Sequence, residues 1–279
     1  MARTTKQSIQ LSDHFTYGRL LRFTAPSVVM LVFCSLYGVV DGFFVSNFVG
    51  KTAFTAVNFI MPFLMILGAV GFMFGTGGTA IVAYTMGEGD KARANRYFSL
   101  FVYVTFALGM VFAVLAIVFL RPIAELLGAE GAILENCVLY GRIVLCALPF
   151  QVLQYLFQSF FVAAEKPKLG LFVIIAAGVT NMVLDAVLVS LLPQDEKLAG
   201  AALATAFSQF VGGAVPLVYF FRKNSSLLRL GKTKFEGKII LRACGNGSSE
   251  FMSNVSMSIV GMLYNIELLK YAGDDGIAA

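Results

Sequence analysis

The chain has 279 residues, of which 58% are hydrophobic and only 13% charged, with a formal net charge of +5. Soluble domains carry about 25% charged residues. The balance excludes a disordered chain, a soluble enzyme of ordinary composition and a nucleic-acid-binding domain, and indicates a polytopic membrane protein.

Seven apolar stretches follow one another: Phe23–Phe48, Ala53–Tyr84, Phe98–Leu120, Cys137–Ala164, Leu169–Leu192, Leu198–Phe221 and Ile239–Leu269. Each exceeds the roughly 20 residues that cross a hydrocarbon core of about 30 Å, and none alternates as a barrel strand does. Each is therefore predicted to be a transmembrane helix. Pro26, Pro62, Pro149 and Pro216 fall inside four of them and predict kinks. The polar connection Arg222–Lys238 is the longest and marks a boundary. The predicted organisation is a cytoplasmic segment over 1–22, a six-helix bundle over 23–221, a cytoplasmic linker over 222–238, and a seventh helix over 239–279. That helix partly echoes the first: at a shift of 223 positions, Ser35, Gly38 and Gly50 fall on Ser258, Gly261 and Gly273. The echo predicts that it opens a second copy of the bundle.

Sidedness follows from the basic residues. Sixteen of the 21 Lys and Arg lie before the first span, in alternate connections, and around 222–242. Lys51, Arg121, Arg142, Lys197 and Lys270 lie on the other side. The excess predicts a cytoplasmic N-terminus in the plasma (inner) membrane, which argues against a seven-helix receptor. Cys34, Cys137, Cys146 and Cys244 stand in or beside apolar runs without a paired motif, and His14 is the single histidine. No metal site is expected from them. No nucleophile–base pair or nucleotide-binding loop is present either, so an enzyme is not expected.

Two carboxylates stand inside spans, where a charge is costly and marks function by default. Asp41 lies seven residues before Phe48, and Asp185 seven before Leu192. At 1.5 Å per residue both sit about 10 Å from the outer ends of their helices. Equal depth suits one shared cavity, and an unpaired carboxylate there suits binding of a proton or a cation. Tyr37 and Gly38 share a helix face with Asp41, and Gly178 and Asn181 with Asp185. The fourth span adds a stripe of Gln151, Gln154, Tyr155 and Gln158, and the sixth adds Thr205, Ser208 and Gln209. Four helices thus offer polar faces for a water-filled chamber, although interhelical hydrogen bonding alone also accounts for such residues.

Several motifs resemble the MATE (multidrug and toxic compound extrusion) family. They are Ala25-Pro26 with Tyr37-Gly38-Val39-Val40-Asp41, Met86-Gly87-Glu88-Gly89-Asp90-Lys91-Ala92, Gly178 to Asp185 with its Asn-x-x-x-Asp, and Gly200-Ala201-Ala202-Leu203-Ala204-Thr205. The resemblance implies twelve helices in two six-helix lobes and antiport driven by a proton or Na+. The expected fold is thus an all-α membrane protein, a MATE-like N-terminal lobe plus a seventh helix, with the rest of the C-terminal lobe missing. Carried over by position, Asp41, Asp185 and Asn181 couple the ion. By the same carry-over Tyr37, Tyr140, Gln158 and Thr205 line the cavity, with Gln158 standing where some members have Asn, and the polar helix faces add Gln154 and Gln209 to that lining.

The reading is export of small organic cations by H+ or Na+ antiport, with the bilayer as partner and no cofactor beyond the coupling ion. Two alternatives stay open. A flippase for a lipid-linked precursor needs a cationic cavity, for which Arg142 is the one available residue. A non-transporting membrane module is the other.

Overall fold

The computed structural model describes residues 17–278; the side chains at 19, 22, 23, 31, 34, 37, 41, 269 and 272–278 lie outside that description. Among the described residues eight α-helices carry the fold: α1 (Tyr17–Phe44), α2 (Lys51–Gly87), α3 (Lys91–Leu126), α4 (Gly131–Cys146), α5 (Leu148–Ala163), α6 (Pro167–Leu191), α7 (Lys197–Phe221) and α8 (Gly237–Ala278). A π-turn over Val45–Val49 extends α1, and a 3-10 turn over Gln194–Glu196 precedes α7. No strand occurs among the described residues.

The fourth predicted span is two helices. Pro26, Pro62 and Pro216 stay inside unbroken helices, whereas α4 and α5 meet at 59° beside Pro149. Proline lacks the N–H that an interior position would use, and a first helical turn has no use for it. A new helix therefore starts there: Phe150 N and Gln151 N both donate to the Ala147 carbonyl, at 2.9 and 3.1 Å. By length and apolarity, α2, α3, α6 and Gln194–Phe221 can each cross a membrane, and α4 with α5 is long and apolar enough for a fifth crossing if the bent pair is one span. The long α8 falls short on apolarity because Arg242, Glu250 and several Ser and Asn interrupt it.

Helix α5 is the axis of the bundle. Gly71 of α2 and Gly213 of α7 lie so close to it that a Cβ on either would strike the carbonyl oxygens of Val152 and Phe150 respectively. Missing side chains thus let two backbones approach α5, which raises dispersion contact where no hydrophobic gain from water is on offer. Toward the basic end, Phe98, Phe157, Phe160 and Phe220 form an aromatic core, with Phe98 5.0 Å from Phe220 and 4.9 Å from Phe160. Helix α1 packs on α6. At the opposite end Gln194 Nε2 donates to the Val49 carbonyl at 3.0 Å, and Arg121 joins Glu125 and Glu135 at 3.2 and 2.8 Å, tying α3 to α4.

The connection before α8 is an ordered strap on α3. Asn95 Oδ1 accepts from Arg229 N at 2.7 Å, Ser99 Oγ accepts from Gly231 N at 3.0 Å, and Thr233 Oγ1 donates to the Arg96 carbonyl at 2.9 Å. Leu228 and Leu230 are buried beneath it. Helix α8 then lies along α2. A Cβ on Gly77 would strike the Ala243 carbonyl, and one on Gly247 the Met73 carbonyl. Farther along, Asn265 Nδ2 donates to the Asn58 carbonyl at 2.9 Å.

Candidate functional site

The polar faces of α5, α6 and α7 converge on a cavity of about 230 Å³. Gln151, Gln154 and Tyr155 enter from α5, Asn181 from α6, and Thr205, Ser208 and Gln209 from α7. Gly38 of α1 closes one side. The 3.6-residue period explains the convergence: 151, 154 and 155 share a face, as do 205, 208 and 209. No Lys or Arg is among the lining residues.

The lining is rich in acceptors. Gln151 Nε2 donates to the Tyr155 hydroxyl at 3.2 Å, which leaves Gln151 Oε1 without a donor among the described residues. Asn181 Oδ1 and Gln209 Oε1 are likewise buried with no donor among the described residues. A buried amide oxygen without a donor costs about 1–3 kcal/mol. Three around one cavity form a site that gains free energy when a ligand brings N–H groups or a cation to it.

The remaining predicted residues surround this chamber at different ranges. Asp185 is wholly buried on α6, one turn beyond Asn181. Tyr140 is buried on α4, its hydroxyl 3.5 Å from Thr205 Oγ1, so it braces a lining residue. Gln158, one turn beyond Gln154, is half-buried and outside the lining. Asp41 and Tyr37 belong to α1, the helix of Gly38, but their side chains lie outside the described residues. Arg142 is exposed on α4 and does not line the cavity. Sequence reasoning missed the apolar wall of Met61, Leu64 and Met65 from α2, and Val144 from α4. Nothing in an apolar run distinguishes a wall residue from a lipid-facing one.

The family profile MatE matches residues 26–187. The chain belongs to the MatE family. Among MatE relatives, the multidrug export protein MepA of Staphylococcus haemolyticus is 26% identical over 275 residues, covering 98% of this chain and 60% of its own length. MepA of Staphylococcus aureus strain MRSA252 is 26% identical over 267 residues, covering 94% and 58%. The solved structure of the MATE multidrug transporter DinF-BH superposes with a TM-score of 0.87 at 24% identity, over 97% of this chain and 61% of its own. The helical arrangement is therefore that of MATE transporters, and the chain spans about 60% of the length of the relatives it matches.

Proposed function

We propose that the chain forms the substrate- and ion-binding part of a cation-coupled antiporter that exports small organic cations across the plasma membrane, with its N-terminus in the cytoplasm. In this reading residues 23–221 are one lobe, 222–238 the inter-lobe linker, and α8 the opening helix of a second lobe. Asp185, Asn181 and Asp41 hold the coupling ion, a proton or Na+, and Gln154, Thr205 and Gln209 contact the substrate. Tyr37, Tyr140 and Gln158 support the wall. The carrying observation is a cavity ringed by three buried amide oxygens that have no donor among the described residues, with no basic side chain in its described lining. Such a lining favours a ligand that brings positive charge and N–H donors. A lipid-linked pyrophosphate would need cations there, and Arg142 lies off the lining, which weighs against a flippase.

Binding tests this without requiring a complete transport cycle. A fluorescent organic cation titrated into the purified chain should bind saturably, be displaced by acid or Na+, and bind more weakly to Asn181→Ala and Gln209→Leu. No saturable binding, or equal binding to both variants, overturns the reading. Dye accumulation in cells with and without the protein then separates a transporter from a non-transporting module.

A further inference from the structure

A second, larger concavity of about 420 Å³ opens where α2, α3 and α8 meet at the basic end of the bundle. Its polar lining includes Arg93 and Tyr97 from α3, Arg242 and Asn246 from α8, and Tyr84 and Glu88 from α2 and its cap. It lies apart from the central chamber and shares no residue with it.

Arg93 is preorganised. Its Nε donates to the Tyr97 hydroxyl at 2.8 Å, its guanidinium carbon lies 5.4 Å from the Tyr97 ring centroid, and Tyr97 itself is buried. That hydrogen bond holds the guanidinium pKa above its ordinary value, with the Glu88 and Asp90 charges adding a smaller push. The terminal nitrogens of Arg93 remain available, and Arg242 makes no hydrogen bond or ion pair among the described residues. Neither arginine pairs with Glu88 within ion-pair distance. Two guanidinium groups on different helices thus share one cavity, with a tyrosine and an amide beside them.

We propose that this pocket binds a phosphate group, with Arg93 and Arg242 as its two charged donors and Asn246 and Tyr84 as neutral ones. Guanidinium forks match phosphate oxygens in bidentate geometry. Basic pockets between helices on the side rich in Lys and Arg are where anionic lipid headgroups dock. A bound phosphate would bridge α3 to α8, holding the seventh predicted span against the rest of the bundle. The same chemistry serves a phospholipid headgroup or a soluble phosphate.

The test uses the purified 279-residue chain in detergent. Phosphatidylglycerol, phosphatidylcholine or inorganic phosphate is added, and retained adducts are counted by native mass spectrometry alongside melting temperature. Wild type should retain phosphatidylglycerol over phosphatidylcholine or, if the source is soluble, be stabilised by inorganic phosphate. Either preference should fall about tenfold in Arg242→Gln, the worth of one charge-assisted hydrogen bond. Glu88→Gln should strengthen binding, because it removes a repelling carboxylate from the pocket. Arg222→Gln deletes an equal charge at the same end outside the pocket and should change nothing. Equal retention by wild type and Arg242→Gln, an equal loss in Arg222→Gln, or no preference for either phosphate probe overturns the proposal.

Discussion

The side chain of Gln154 fills the notch that Gly212 leaves in α7: a Cβ on Gly212 would overlap the Gln154 amide. The polar stripe of α5 thus reaches the chamber through a gap in its neighbour. Gly212→Ala should force Gln154 into another rotamer, at a packing cost of about 1–3 kcal/mol. Cation binding should weaken by about three- to tenfold, the worth of one hydrogen bond. Dye titration and thermal melting on the same sample check both. An unchanged affinity would remove Gln154 from the substrate contacts.

The crossing of α2 and α8 yields a second expectation. Gly77→Ala and Gly247→Ala each place a methyl against a backbone carbonyl that cannot rotate away, so each should destabilise by about 1–3 kcal/mol. The double variant should cost less than the sum, because the first methyl already parts the helices and gives the second its room. Melting temperatures of the four proteins close that cycle. Strict additivity would mean that the two contacts yield independently.

The strap should come loose on a single deletion. Asn95→Ala removes the acceptor of Arg229 N. Losing one such bond lowers the cost of local opening by about 0.5–1.5 kcal/mol. Limited trypsin digestion after Arg229 and Lys232 should then run up to about tenfold faster, since cleavage of a transiently open segment tracks its open population. Circular dichroism should show the helices intact.

At the opposite end, Arg121 is held between Glu125 and Glu135, and its pKa lies above the ordinary value mainly through Glu135. All three side chains are half exposed to the surroundings. Glu135→Gln should therefore lower the melting temperature slightly in low salt and not at all in high salt, where counterions screen the pair. A salt-independent shift would point to packing instead.

Much of the helical architecture was readable beforehand, because long apolar runs report directly on helices able to cross a membrane. The spacing of Gln151, Gln154 and Tyr155 against Thr205, Ser208 and Gln209 also predicted a shared chamber, since a helix face is fixed by its 3.6-residue period. What could not be read were the tertiary decisions. Pro149 breaks its helix while Pro62 and Pro216 do not, and the neighbouring sequence is apolar in all three cases. Asn95 and Ser99 look like an ordinary polar helix surface until the strap lies across them. Gln158 continues the α5 stripe in sequence, yet one more turn carries it out of the chamber.

The 59° elbow at Ala147 separates two jobs within one bent helix pair. On its α5 side, Gln151 and Gln154 pack against Gly68 and Gly212 of the neighbouring helices; on its α4 side, Val144 lines the chamber and Tyr140 reaches Thr205 through its hydroxyl. A swing of α4 about this joint would resize the chamber and release Thr205 from Tyr140 while the central axis stayed seated. A straight helix could make no such motion without dragging the whole lattice of close backbone approaches along with it.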